Sequence, residues 1–304
     1  MAATTGGALM EDVVQGHYER LAALDPLFPV TTPPSDVSRI DVPGAVGFFS
    51  AEVSSPEVAL WAATHRNVLR ARLRTGSPEE LGALLDEWDK HLAESCVPGD
   101  RDSAAIVNWP SRDSLAVREL VFHGFAPASV IAVRPAGRPI PAVSAAHEIR
   151  PAVEADLPVL IEFSVSLHSH DARYGLVTER PNARDVLAEE MREAVAEGIV
   201  LVASRGGSVV GFVEADTGER ASWAQGMVTA TPTAYLSKLF VLPEARSGGI
   251  ASALVAEVHS RIDAEGAPVT LMEHILTNEF STPFWYRQGY RPLWTVWQRR
   301  PVIR

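Results

Sequence analysis

The chain contains a single cysteine, Cys96, among 304 residues. One thiol cannot close an internal disulfide or build a cysteine-based metal cluster, and it fits a reducing compartment. Basic charge is also scarce: 27 Lys and Arg stand against 38 Asp and Glu, a net charge of -11. The deficit is spread along the chain, with 12 basic against 18 acidic residues in positions 1–145. Nucleic-acid partners are therefore not expected, because phosphate backbones are gripped by basic surfaces. Long apolar runs are missing too, and none approaches the roughly 18 residues of a membrane-spanning helix. The opening residues Met1 to Gly7 carry neither the basic cluster nor the apolar block of a secretory signal. These absences lead to the expectation of a cytoplasmic protein that uses no metal, touches neither membrane nor nucleic acid, and works as a monomer or homodimer.

What is present is apolar content, 46% of residues, in a length that favours two domains. The proline-rich stretches are residues 26–34 and 135–141, and the second is the better linker. It divides the chain into residues 1–140 and 141–304.

The most informative stretch is residues 234–262. Residues 235–241 are β-rich and bounded by Pro232 and Pro243, so they read as a strand. After a short turn, Ile250, Leu254, Val258 and Ile262 recur every fourth residue, the spacing of one helix face. Gly248 and Gly249 stand where the helix opens. The first amides of a helix lack intrahelical partners and point where the helix dipole favours an anion. Glycine lets a bulky anion come close, and Arg246 adds a full positive charge. The pattern lacks the lysine of a Walker loop and the three glycines of a dinucleotide fold. A plain strand–helix turn would use the same glycines for packing.

Arg246-Ser-Gly-Gly249-Ile-Ala251 resembles the Arg/Gln-x-x-Gly-x-Gly/Ala signature of the GNAT superfamily of acyl-CoA-dependent N-acyltransferases. It also stands in the expected context, between a strand and a long helix, and the resemblance spans roughly residues 148–299. The resemblance implies an α/β fold (an α+β mixed sheet) and acetyl-CoA as co-substrate. The cofactor would lie on Leu239, Phe240 and Val241 of the strand and on Arg246, Ser247, Gly248, Gly249, Ile250, Ala251 and Ser252 of the turn.

The first half carries a faint repeat of the second. Gly124-Phe-Ala-Pro127 and Gly289-Tyr-Arg-Pro292 each precede a β run. Two GNAT-like domains in tandem are expected, similar to the arrangement of mycothiol-synthase-type enzymes. Residues 1–140 would be the diverged, non-catalytic copy, because Glu79 and Glu80 stand at the helix start where a pyrophosphate would sit. Within that half, residues 46–53, 58–64 and 67–74 read as strands, and Ser77-Pro78 reads as the start of a helix. A further helix is expected over residues 111–123.

Acyl transfer to an amine needs a proton acceptor, oxyanion stabilisation and a proton for the departing sulfur. The resemblance places Tyr286, in Tyr286-Arg-Gln-Gly289-Tyr290, at the position of the family's proton-donating tyrosine; amphipathic packing is the competing reading. It places Asn278 against the pantetheine arm. Glu273 and His274 alternate on one strand, so only one can face the acyl group, and Glu273 is favoured as base. His168, His170 and Tyr174 are expected in a loop over the acceptor site rather than around a metal, since a lone short cluster is poor evidence for zinc. The expected activity is transfer of an acetyl group to the primary amine of a small molecule by direct attack in a ternary complex. A non-catalytic acyl-CoA sensor or scaffold, a donor with a longer acyl chain or a carrier protein, and a relative using charged tRNA are the alternatives.

Overall fold

The computed structural model of the chain describes residues 2–32, 37–139 and 148–304, with side chains from residue 10 onward. Its strands are β1 (Ser38–Val42), β2 (Ala45–Val53), β3 (His65–Leu73), β4 (Ser103–Pro110), β5 (Ala126–Pro135), β6 (Glu148–Pro151), β7 (Ile199–Arg205), β8 (Ser208–Asp216), β9 (Thr233–Val241), β10 (Val269–Ile275) and β11 (Arg291–Arg299). Its α-helices are α1 (Ala2–Leu24), α2 (Pro56–Trp61), α3 (Pro78–Ser95), α4 (Val117–Phe122), α5 (Leu157–Ala172), α6 (Ala183–Glu197), α7 (Ile250–Ala264) and α8 (Ser281–Arg287). The fold is mixed α/β, as the sequence implied.

The chain forms two compact units, and neither is continuous. One comprises Met1–Ser55, Ala63–Val130 and Pro292–Arg304; the other comprises Pro56–Ala62 and Ile131–Arg291. The division expected after residue 140 is therefore not where the compact units part, and residues 140 and 141 themselves lie outside the described residues, as do Pro33 and Pro34. Pro135 ends β5, and the Ala136 amide donates to the Pro268 carbonyl.

In the first unit the strand order is β1-β2-β3-β4-β11-β5. β11 enters between β4 and β5, antiparallel to β4 from Trp294 opposite Pro110 to Arg299 opposite Ala105. The core forms because α3 repeats Leu81, Leu84, Leu85, Trp88 and Leu92 on one face, all fully buried. Trp88 stacks on Phe125 with ring centroids 6.1 Å apart. Each such side chain contributes about 1.5–3 kcal/mol by leaving water. Ser77 caps α3 by accepting from the Glu80 amide at 3.2 Å. Glu80 then bends back, and its carboxylate accepts from the amides of Thr75 and Gly76, each at 3.0 Å. The donors at this turn are thus filled by the chain's own anion.

In the second unit the strand order is β5-β10-β9-β8-β7-β6. Phe163 of α5 and Met191 of α6 pack with Phe212 and Phe240 of the sheet. The expected strand at residues 58–64 is instead the short helix α2, opened by Pro56 and burying Ala59 and Leu60. A brief apolar run has no period by which to tell strand from helix. The end of α2 is held through its carbonyls: Arg180 Nε donates to Ala59 O at 2.6 Å, and His168 Nε2 lies 3.0 Å from Leu60 O. The helix expected over residues 111–123 shrinks to α4, because Asp113 is drawn into a turn whose carbonyl accepts from the Trp109 indole at 2.6 Å. β1 was not anticipated, since its Ser-Arg-Ile-Asp-Val composition is mostly polar.

A fragment of residues 141–304 would lack α2 and Ile131–Pro135, and it would carry β11 without β4. It is expected to show no cooperative transition in a circular-dichroism melt. A sharp transition would show that this half folds without those segments.

Candidate active site

β9 and β10 run parallel but share only three registered pairs, Thr233 with Val269, Ala234 with Thr270 and Tyr235 with Leu271. β9 then continues to Val241 along β8, while β10 ends at Ile275. The two strands part beyond Tyr235 and leave an opening between them. Opposite its apex the β8–β9 register slips between Glu214 and Ala215, so that Ser237 is the extra residue of a bulge.

At the far end of β9 the turn Pro243–Ala245 leads to Arg246 and on to α7. Gly249 is the residue before the helix, with φ 82°, and no side chain caps it. Ser247 also takes a left-handed φ of 62°, which is rare for a residue with a side chain. The first amides of α7 are therefore presented without a capping oxygen. The Arg246 Nε donates to the Val241 carbonyl at 3.0 Å, which fixes the entry to the turn. A Cβ on Gly248 would lie 3.3 Å from Nη2 of Arg205, at the end of β7. Ser252, in the first turn of α7, accepts from the buried Gln288 amide at 3.1 Å. Phe240 points into the core beside Phe163, so it offers the opening only its backbone. Val241 is buried, Leu239 and Ala251 are half-buried, and Ile250 is buried under the turn.

Around the opening, Tyr286 of α8 is 38% exposed, and burial pushes its phenol above the ordinary value. Its ring meets His274 edge-on at 5.8 Å. His274 is buried, burial lowers its pKa so that it is neutral at pH 7, and its Nε2 has no hydrogen-bond partner. Glu273 is exposed on the opposite face of β10, and its charge adds to burial in raising the Tyr235 phenol. Of the two neighbours on β10, Glu273 is the one open to solvent.

The end of α5 crosses toward the start of α8. Asn278 is buried; its Oδ1 accepts from the amides of Phe280 at 3.1 Å and Ser281 at 3.3 Å, and its side chain also bonds Asp171. Burial pushes the Asp171 carboxyl up to about 6 against that bond. Tyr174 donates to Glu279 at 2.9 Å and packs on His170. His170 is held below its ordinary pKa by burial and by Arg173 and Arg246, which puts it near the turn before α7.

Some expectations need correction. His168 and His170 are not in a loop: both belong to α5, which runs on to Ala172. His168 is buried, edge-on to Trp61 at 5.3 Å and committed to the Leu60 carbonyl. Asn278 has its side chain engaged in starting α8, and its backbone is engaged too, the amide donating to the Ile275 carbonyl at 3.3 Å and the carbonyl accepting from the Ser281 amide at 3.2 Å. Unforeseen were Arg205 beside Gly248 and a buried ion cluster in which Lys238 Nζ meets Glu214 at 3.2 Å and Glu190 at 3.1 Å. A lysine and a glutamate each inside an apolar strand run were the available signal for that pair.

Residues 166–290 match the model of the acetyltransferase (GNAT) family. Over those residues the chain is similar to GNAT acetyltransferases. The match covers the opening, the turn before α7 and Tyr286. Solved GNAT structures share the fold. A GCN5-related N-acetyltransferase from Sphaerobacter thermophilus is 14% identical with a TM-score of 0.55, covering 85% of this chain and 78% of its own. A GNAT-family acetyltransferase from Colwellia psychrerythraea is 12% identical with a TM-score of 0.51, covering 84% of each chain. A search of curated proteins returned no match. Among the described residues no helix is long and apolar enough to cross a membrane, and no group of three or more His, Cys, Asp or Glu could hold a metal ion.

Asp171 carries a testable consequence. A carboxyl whose folded pKa is raised from 3.8 to about 6 favours folding at acidic pH, and that contribution fades as pH climbs through this window. Asp171→Asn is expected to raise the melting temperature relative to wild type at pH 8 and to leave it unchanged near pH 4. Equal shifts at both pH values would exclude the buried carboxyl as the cause.

Proposed function

We propose that the GNAT domain transfers an acetyl group from acetyl-CoA to the primary amine of a small molecule, by direct attack in a ternary complex. The observation that carries this reading is the opening between β9 and β10, ending at the uncapped start of α7. The residues fit a nucleotide thioester. The amides of Ser247 through Ser252 would receive the pyrophosphate, with Arg246 and Arg205 supplying positive charge. The unpaired backbone edge of Leu239, Phe240 and Val241 suits the amide-bearing pantetheine arm, which pairs with a strand edge as another strand would. The thioester supplies an acyl carbon open to attack by nitrogen.

In this reading Glu273, exposed on β10, accepts the proton that the amine must lose. Tyr286 keeps its own proton at neutral pH, because burial raises its pKa, and it can deliver that proton to the departing sulfur. The new bond is carbon–nitrogen and the broken one carbon–sulfur, so no covalent enzyme intermediate is needed. Cys96 follows α3 in the other unit, which fits that scheme. The first unit takes a non-catalytic role in this reading: Glu80 fills the Thr75 and Gly76 amides of the turn before α3, and a second anion there would meet a carboxylate. A cytoplasmic location and a single small-molecule acceptor complete the proposal.

Coenzyme A release during incubation with acetyl-CoA and a panel of amines tests the activity; binding without release would instead favour an acyl-CoA sensor. Tyr286→Phe is expected to lower kcat by about 100-fold with little change in acetyl-CoA affinity. Unaltered turnover would remove Tyr286 from the chemistry. Gly249→Glu is expected to abolish coenzyme A binding in calorimetry, since a side chain at φ 82° is strained and a carboxylate opposes phosphate. Preserved binding would mean the phosphates lie elsewhere.

A further inference from the structure

Trp223 is 55% exposed, although the segment carrying it, Gly218–Met227, buries Ala221 and Ala224. Its indole does not hang free. It tilts against Tyr235 at 59°, with ring centroids 4.5 Å apart. Tyr235 is the last residue of β9 paired with β10, opposite Leu271. Two residues further along β10, on the same face, comes Glu273. An exposed indole, a phenol and a carboxylate thus meet at the apex of the opening. At about 3.3 Å per residue, Tyr235 stands roughly 20 Å from Val241 and the phosphate turn.

Charge along the opening is polarised. The phosphate end carries Arg246, Arg205 and Arg173. The apex face carries carboxylates: Asp216 on Arg220 at 2.8 Å, Glu197 on Arg220 at 3.4 Å, and Glu214 and Glu190 on Lys238. With Glu273 these five carboxylates exceed the two cations they surround. An anionic or neutral molecule gains nothing from such a field, whereas a cation does. The indole face, the strongest cation-attracting ring among side chains, adds to the same preference.

We infer that Trp223, with Tyr235 and Glu273, forms the acceptor subsite and selects a cationic amine. Its ammonium rests against the ring faces before Glu273 takes a proton from it. The inference rests on the acyl-transfer reading for the fate of that amine, and on Trp223 for its choice. Once deprotonated, the nitrogen lies at the apex, beside the bulge at Ser237, where the acyl carbon arrives from the phosphate end.

Two measurements on the full chain separate the inference from the reading beneath it. In steady-state kinetics with acetyl-CoA, a linear polyamine is expected to be preferred over a zwitterionic amino acid and over an aryl amine that is neutral at the assay pH. Trp223→Ala is expected to raise the KM for the polyamine about tenfold, with kcat and the KM for acetyl-CoA within about twofold of wild type. Trp223→Phe is expected to recover most of the loss. An unchanged polyamine KM in Trp223→Ala, or preference for the neutral aryl amine, would overturn the subsite. In calorimetry, the polyamine is expected to bind wild type in the presence of coenzyme A and to lose about tenfold in affinity with Trp223→Ala. No binding to wild type would overturn the subsite. Binding that depends on Trp223 without coenzyme A release would support the subsite and count against acyl transfer.

Discussion

Everything in the proposed site follows from two parallel strands that stop pairing. A backbone edge inside a protein must find hydrogen-bond partners, and buried amides and carbonyls left alone cost stability. β9 satisfies its β8 edge to its last residue and leaves the β10 edge open beyond Tyr235. That open edge sets the direction of the site, because whatever completes it must be extended and rich in amides. The same parting fixes the two ends of the opening. One is the apex, where Tyr235 and Leu271 still face each other; the other is the turn that feeds α7. The charges follow suit, with guanidiniums gathered at the turn and carboxylates at the apex.

The two helix starts at Gly249 and Ser77 answer one physical demand in opposite ways. A helix start with no oxygen to receive its amides attracts an anion. At α3 the chain supplies oxygens itself, from Ser77 to the Glu80 amide and from Glu80 to the Thr75 and Gly76 amides of the turn just before the helix. At α7 it supplies neither, and glycine holds the cap position. The first helix is therefore a closed structural element, while the second remains available to a ligand. Sequence alone pointed to this contrast through Glu79 and Glu80, but only Glu80 reaches the turn amides.

Legibility in the sequence tracked the range of the interactions. The turn before α7 and the helix itself were readable because glycine placement and a four-residue apolar spacing are local signals. So was α3, whose serine cap and first-turn proline are adjacent in the chain. The parting of β9 from β10 was not readable, since it depends on pairing between strands 36 residues apart, counted from Thr233 to Val269. Arg205 reaches Gly248 only because the β7–β8 hairpin lies alongside the end of β9. The histidines of α5 misled for a related reason: a run of Ser and His suits a loop or a helix, and packing of His168 on Trp61 decides for the helix. Residues 58–64 failed similarly, their fate being set by Arg180 and His168 far along the chain.

β11 has a consequence for how the protein is made. It is the last of the described strands, yet it lies between β4 and β5 in the first unit's strand order. A nascent polypeptide leaving the ribosome must therefore hold that unit incomplete, with the β4 edge unmated, until β11 has been made, 181 residues later when counted from Pro110 to Arg291. Loop closure over such a separation is slow, and an open strand edge invites association with other chains. Maturation of that unit is thereby postponed until β11 emerges, which makes the waiting interval, rather than the folded molecule, the stage most exposed to misassembly and to chaperone capture.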